Sequence, residues 1–107
     1  MMAQRNAGAD AAGGVAQIAD GERWTIAGPL TFADAGAVLE GTRMLALPAS
    51  GIVDCHAISS VDSAAVAVLL AWKRRATAES RPLAFDGIPA ALALLADLYG
   101  VREILAA

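Results

Sequence analysis

A short polar segment leads directly into a long apolar run in the second half of the chain, and this junction constrains the fold most. The polar segment ends at Asp62 and Ser63, and an apolar run then extends from Ala64 to Trp72 without Gly or Pro. An Asp or Ser at such a place can accept a backbone N–H group that the first turn of a helix leaves unpaired. The pattern therefore predicts a buried helix that begins near Ser63. It also exposes a hydroxyl at the positive end of that helix, where a phosphate would have a large local effect.

Length and composition are those of one soluble domain. The 107 residues suffice for one modest core. Although 57% of the residues are hydrophobic, Ala supplies much of this, and no stretch approaches the ~20 consecutive apolar residues of a membrane-spanning helix. Residues 1–14 are rich in Ala and Gly and lack the apolar block of a secretory leader. We therefore expect a disordered tail over 1–14, a domain over 15–107, a cytoplasmic location and no direct insertion into a membrane.

Several classes of function are disfavoured. With 8 basic and 11 acidic residues the net charge is −3, which argues against nucleic-acid binding, and the basic run 73–75 is expected to be a solvated helix face. The chain has one cysteine, one histidine and no phosphate-binding loop, so we expect no metal site, no cofactor and no ATP hydrolysis. Cys55 and His56 are adjacent, but neighbours in a strand point to opposite faces, so a hydrolase is kept only as a control hypothesis.

The first half of the chain predicts a hairpin and a helix. Residues 15–19 and 23–27 alternate in polarity around Asp20-Gly21, which is a tight hairpin signal. Gly28-Pro29 is expected to end the second strand. Thr31 with Asp34 is typical of a capping box that opens a helix, and Gly41 and Pro48 are expected to limit the length of this helix.

The second half predicts two strands and two helices. Residues 52–55 indicate a buried central strand, and His56 just past it is expected to be a loop or strand-end histidine. The helix that begins near Ser63 follows, and residues 83–85 form the next strand. A third helix opens at Gly87-Ile88-Pro89 and stops at Gly100, which is suited to a left-handed cap. Residues 101–105 are expected to add a short strand or turn. The predicted fold is therefore α/β, with helices packed against a small mixed β-sheet.

Four segments of the sequence are similar to those of a known family: Gly28-Pro29-Leu30, Ile52-Val53-Asp54, Val61-Asp62-Ser63 and Leu98-Tyr99-Gly100-Val101. In this order they resemble a STAS domain over about residues 15 to 105, and the Asp-Ser junction is the most specific of them. The run 69–76 and the turn 87–92 resemble the MlaB type, the small cytoplasmic STAS subunits of the Mla phospholipid-transport ABC complex.

The resemblance implies a non-enzymatic subunit. Such a protein binds the ATPase subunit of a membrane complex that also contains a permease, and it supports the assembly and activity of that complex in maintaining outer-membrane lipid asymmetry. It is peripheral to the inner membrane through its partner.

A second branch of the same family remains an alternative. Anti-sigma factor antagonists use the same Ser position, here Ser63, as a phosphorylation switch. Many relatives have a Gly shortly after this position, whereas this chain has Ala64 and Ala65, so its loop-to-helix transition should be stiffer. That difference argues more strongly against recognition of Ser63 by a kinase than against a docking surface at this position.

The predicted docking surface lies at the start and along one side of the Ser63 helix. At ~100° per residue, Ser63, Ala67, Leu70 and Arg74 fall on one side, and the apolar arc of the helix spans about 200°. Part of that arc is expected to meet another protein, although a well-buried Ala-rich helix explains it too. Asp62 and Ser63 could be caps alone, and Trp72 could be a core anchor rather than an interface residue. The residues expected to contact the partner are Asp62, Ser63, Ala67, Leu70, Trp72 and Arg74.

Overall fold

The structure is a computed structural model that describes residues 16–19 and 21–106. The predicted tail over residues 1–14 lies outside the described residues. Four strands and four helices follow one another along the described chain: β1 Ala16–Ala19, β2 Arg23–Leu30, α1 Phe32–Arg43, β3 Ile52–Val61, α2 Ser63–Ala78, β4 Ala84–Asp86, α3 Ala90–Leu98 and α4 Arg102–Ala106.

The strands form one mixed sheet in the order β1-β2-β3-β4. Strand β1 pairs with β2 in antiparallel fashion, while β2, β3 and β4 are parallel. The antiparallel pair confirms the predicted hairpin, and Gly21 within it has the positive φ of 89° that glycine adopts without strain. Parallel neighbours need crossover connections, which α1 and α2 provide. The predicted α/β fold with a small mixed sheet is confirmed.

Two strands extend further than their sequences indicate. Strand β2 continues through Gly28 and Pro29 to Leu30, so the expected break at this dipeptide is wrong. The register against β3 shifts between Gly28 and Pro29, and this irregularity accommodates the missing N–H of proline. Strand β3 continues to Val61, so His56 lies within a strand rather than in a loop. Pairing with the extended β2 keeps this second half of β3 in the sheet.

The helices also differ in detail from the expectations. Helix α1 passes through Gly41 and ends at Arg43, because a single glycine lowers helix stability without stopping the helix. The capping box that opens it is confirmed: the Thr31 N–H donates to Asp34 Oδ2 at 2.9 Å and the Thr31 hydroxyl donates to the same oxygen at 2.8 Å.

The C-terminal segment is helical, which corrects the expected strand or turn. Helix α3 ends at Leu98, and Gly100 with φ of 69° forms the predicted left-handed cap. The Val101 N–H donates to the Ala96 carbonyl at 2.9 Å and the Gly100 N–H to the Asp97 carbonyl at 3.0 Å, as in a Schellman motif. This cap redirects the chain into helix α4.

The core lies between the helices and the sheet and is centred on two tryptophans. The rings of Trp24 on β2 and Trp72 on α2 pack edge to face, with centroids 5.5 Å apart. The indole N–H of Trp72 donates to the Thr42 hydroxyl at 3.0 Å, and that hydroxyl lies 3.0 Å from the Val38 carbonyl, to which it donates. The buried polar groups at this point are therefore hydrogen-bonded, as a stable core requires. Among the described helices, none has the length and apolar character to cross a membrane.

Candidate functional site

Asp62 caps two helices at once. Its backbone is extended, and its Oδ1 accepts a hydrogen bond from the Ala64 N–H at 2.9 Å, so the predicted cap on α2 is confirmed. Its Oδ2 accepts a hydrogen bond from the Phe32 N–H, also at 2.9 Å, at the first residue of α1. A carboxylate at helix N-termini is stabilised by unpaired N–H groups and by the helix dipoles. Asp62 therefore fixes the start of α2 and supports the start of α1, which the Thr31–Asp34 capping box opens.

Ser63 is the first residue of α2 and is exposed. Its hydroxyl has no hydrogen-bond partner within residues 21–106, since the neighbouring cap is supplied by Asp62. Ser63 is thus a first-turn residue and not the cap itself. Its free hydroxyl remains available for an external contact or a modification.

The side of α2 that begins at Ser63 faces solvent. Ala67 and Arg74 are exposed and Leu70 is half-buried, so the side of the helix predicted from the sequence is accessible. Two of these side chains are small, which allows another protein to approach the helix closely. We call Ser63, Ala67, Leu70 and Arg74 the α2 face.

Trp72 does not belong to the exposed surface, which corrects the prediction that it contacts a partner. It is 2% exposed, and its indole group is used inside the core by Trp24 and Thr42. The apolar arc of α2 is filled largely by the domain itself, because α1, α3 and α4 all contact this helix. The buried residues of α2 are Ala65, Val66, Val68, Leu69, Trp72 and Ala76. Among the larger apolar side chains of α2, Leu70 is the one that remains partly exposed.

The basic run 73–75 is not a uniform solvated face either. The Lys73 ammonium donates to the Leu83 carbonyl at 2.5 Å. The Arg75 guanidinium donates to the carbonyls of Thr42 at 3.0 Å and Leu45 at 2.5 Å, and it pairs with Glu79 at 2.8 Å. Arg75 thereby satisfies carbonyl groups at the C-terminal end of α1.

Arg74 differs from its two neighbours. Among the described residues it has neither an ion pair nor a hydrogen bond. It lines a groove of about 710 Å³ between α2 and α4, together with the apolar residues Leu70, Val101 and Ile104 and the polar residues Lys73 and Thr77. Ile104 is 52% exposed. A groove whose lining combines apolar side chains with the exposed cation of Arg74 suits an apolar group of another molecule that carries a negative charge nearby.

The Cys55 and His56 pair cannot act as a nucleophile and base. Cys55 is fully buried, and burial raises the pKa of its thiol to about 12. His56 is exposed on the opposite face of β3, where its Nδ1 lies 2.8 Å from Oδ1 of Asp54. The strand alternation that disfavoured this pair is therefore confirmed. The described residues contain no group of three or more His, Cys, Asp or Glu side chains placed to hold a metal ion.

Asp54 is held in its charged form by His56. The backbone N–H of His56 donates to Asp54 Oδ1 at 3.0 Å, and this bond, followed by the contact with the imidazole, lowers the pKa of the carboxyl group. Arg23 lies 3.9 Å from the other oxygen. This arrangement links β2 and β3 on the face of the sheet opposite Cys55. We therefore assign the contacts of Asp54 with His56 and Arg23 a structural role.

Sequence reasoning missed Phe32 as a site residue. Its backbone N–H is bound to Asp62 beside Ser63, and its side chain is 84% exposed. No local spacing links two residues that are thirty positions apart. The available signal was an aromatic side chain at the first position of a helix, directly after the Thr31 cap.

Comparison with known families supports the resemblance seen in the sequence. The family model described as Mlab, STAS domain, matches residues 15–106. The comparison with curated proteins gives no match. The mixed sheet with four helices is compatible with a STAS fold, and STAS domains are in general not enzymes. Because the matched region covers nearly the whole chain, the protein belongs to the MlaB-type STAS domain family.

Proposed function

We propose that this protein is the cytoplasmic STAS subunit of an Mla-type phospholipid-transport ABC complex. In this role it binds the ATPase subunit, at the inner membrane, and supports the assembly and activity of a complex that also contains a permease. The complex maintains the lipid asymmetry of the outer membrane. The STAS subunit itself is non-enzymatic, and ATP hydrolysis belongs to the ATPase subunit.

The observation that carries this proposal is the presentation of Ser63. Asp62 caps α2 and holds the start of α1 next to it, so Ser63 stands at a fixed point with a free, exposed hydroxyl. The α2 face continues from this point with a small residue, Ala67, and ends at Arg74, which has no ion pair within the described part of the chain. A rigid, accessible face with small side chains at its centre is suited to docking another protein rather than to chemistry.

An anti-sigma factor antagonist is the second candidate, and the free Ser63 hydroxyl is what favours it. A phosphate at Ser63 would nevertheless lie beside the Asp62 carboxylate, and the N–H of Ala64 already donates to that carboxylate. Two adjacent negative charges repel each other, so phosphorylation here would weaken the cap that holds α2. This geometry favours Ser63 as a contact residue.

The experiment that tests the proposal is affinity purification of the tagged full-length protein from detergent-solubilised membranes of its own cells. We expect an ABC ATPase and a permease to co-purify in stable amounts, as identified by mass spectrometry. Recovery of a sigma-factor-binding kinase in place of the ATPase would overturn the proposal in favour of the second candidate.

Intact-mass analysis of the same preparation provides an independent check. On the transporter proposal Ser63 is unmodified. A substantial fraction carrying one phosphate at Ser63, located by peptide sequencing, would contradict the proposal. Such a modification adds about two negative charges and would act as a switch.

A further inference from the structure

The start of α1 lies next to the start of α2 and carries an exposed aromatic side chain, Phe32. Phe32 is 84% exposed, while both tryptophans are about 2% exposed, so this domain leaves a large ring in solvent although its core holds other aromatic side chains. Single exposed apolar side chains are common on protein surfaces. The position of Phe32 is what distinguishes it, because its N–H is bonded to Asp62, the residue immediately before Ser63.

The backbone of Phe32 is held from both sides. Asp62 accepts its N–H at 2.9 Å, and the preceding Thr31 is fixed by two hydrogen bonds to the buried carboxylate of Asp34. An anchoring side chain on a fixed backbone loses little conformational freedom on binding. Aromatic residues of this kind dominate the energy of protein interfaces when a partner pocket desolvates them.

The other end of the α2 face supplies a charge. Arg74 lies eleven residues after Ser63, which corresponds to about 16 Å along the helix. It has no partner within the described chain, although the protein as a whole has a net charge of −3. The lining of the adjoining groove between α2 and α4 includes the apolar residues Leu70, Val101 and Ile104. The partner group that fits the Arg74 end of the α2 face is a carboxylate next to an apolar side chain.

We infer that a helix of the ABC ATPase subunit lies along the α2 face, anchored at one end by the Phe32 ring in an apolar pocket and at the other by a carboxylate paired with Arg74. This inference rests on the proposed function and adds the two contacts that set the position and direction of the partner helix. Ser63 and Ala67 lie between the two contacts, where their small side chains let the two helices approach closely. Leu70 and the groove receive an apolar side chain next to the carboxylate.

Two substitutions and two matched controls test this inference with the full-length protein and the co-purified ABC ATPase subunit. Phe32→Ala is expected to weaken binding by at least about tenfold, as loss of an aromatic anchor does. Met44→Ala is its control, because Met44 follows the other end of α1 and is 88% exposed. We expect the affinity of this control to stay within about twofold of the original protein, as for a residue outside an interface.

Arg74→Glu tests the charged contact. It is expected to weaken binding by at least about tenfold and to reduce the dependence of the association rate on salt, because a favourable charge pair becomes a repulsive one. Arg43→Glu makes the same change in net charge at the far end of α1, where Arg43 pairs with Glu40 on the surface. This control should bind like the original protein.

The outcomes separate the inference from the function on which it rests. If Ser63→Arg abolishes binding while Phe32→Ala or Arg74→Glu binds normally, the two-contact arrangement is wrong and the proposed function stands. If no ABC ATPase subunit co-purifies with the original protein, both are overturned. Circular dichroism of each variant confirms that a loss of binding does not reflect unfolding.

Discussion

The carboxylate of Asp62 accepts the backbone N–H of Phe32 at 2.9 Å, across thirty residues of chain. With the second bond, from the Ala64 N–H, one side chain caps two helices and positions the first turn of each. The exposed surface around Ser63 and Phe32 is therefore positioned by Asp62 together with the Thr31–Asp34 capping box at the start of α1. Stability and partner recognition should therefore both depend on Asp62.

Substitution of Asp62 should lower the free energy of unfolding, and the loss should be larger for Asp62→Ala than for Asp62→Asn. Asp62→Asn keeps one acceptor oxygen and is expected to cost about 1 kcal/mol, whereas Asp62→Ala loses both bonds and is expected to cost about 2 kcal/mol. Denaturant unfolding followed by circular dichroism measures both values. Asp97→Ala removes a surface ion pair with Arg102 and serves as the control, with an expected cost below about 0.5 kcal/mol. Equal stability of the Asp62 and Asp97 variants would contradict the double-capping role.

The hydrogen bond between Trp72 and Thr42 gives a second prediction. Thr42→Val preserves the shape of the side chain but leaves the buried indole N–H of Trp72 without an acceptor, which is expected to cost about 1–3 kcal/mol. The same substitution in a Trp72→Phe background should cost less, because the N–H is then absent. A double-mutant cycle of unfolding free energies measures the difference. A coupling energy near zero would mean that this bond adds nothing to stability.

The pair formed by Asp54 and His56 predicts a dependence of stability on pH. The pKa of Asp54 is lower in the folded protein than the ordinary value of 3.8, so its contribution is present above that value and is lost as the pH falls through the folded-state pKa. Asp54→Asn should therefore be less stable than the original protein at pH 7, by up to about 1 kcal/mol for a partly exposed group. The two unfolding free energies should converge as the pH falls below 3.8. A difference that persists unchanged in acid would have another origin.

Local patterns in the sequence predict the order of the helices and strands. They do not predict the contacts between residues that are distant in the chain. The Thr31 capping box, the start of α2 at Ser63 and the Gly100 cap follow from neighbouring residues, and all three are confirmed. Two predictions are wrong: that β2 ends at Gly28-Pro29 and that His56 lies outside the body of a strand. Both fail because pairing between β2 and β3 overrides the local break.

In the candidate site, too, local patterns predict some features, and contacts between distant residues determine the others. The exposed side of α2 follows from helical periodicity alone, as residues Ser63, Ala67 and Arg74 show. The burial of Trp72 was left open by the sequence, because an apolar arc does not indicate whether the domain itself or a partner covers it. Phe32 was missed because its place beside Ser63 depends on a bond between two separate helices.

Ser63 is expected to lie within the contact with the ATPase subunit, and the substitution Ser63→Arg tests this placement. The exposed helix start should tolerate the longer cation at a cost of about 1 kcal/mol to the helix, so the variant stays folded. Ala90→Arg is the matched control, because Ala90 is the exposed first residue of α3. Isothermal titration of each full-length variant with the ATPase subunit measures the dissociation constant. We expect at least about a hundredfold weaker binding for Ser63→Arg and an unchanged dissociation constant for Ala90→Arg, since a buried unpaired charge is costly. If Ser63→Arg binds as tightly as the original protein, Ser63 lies outside the interface.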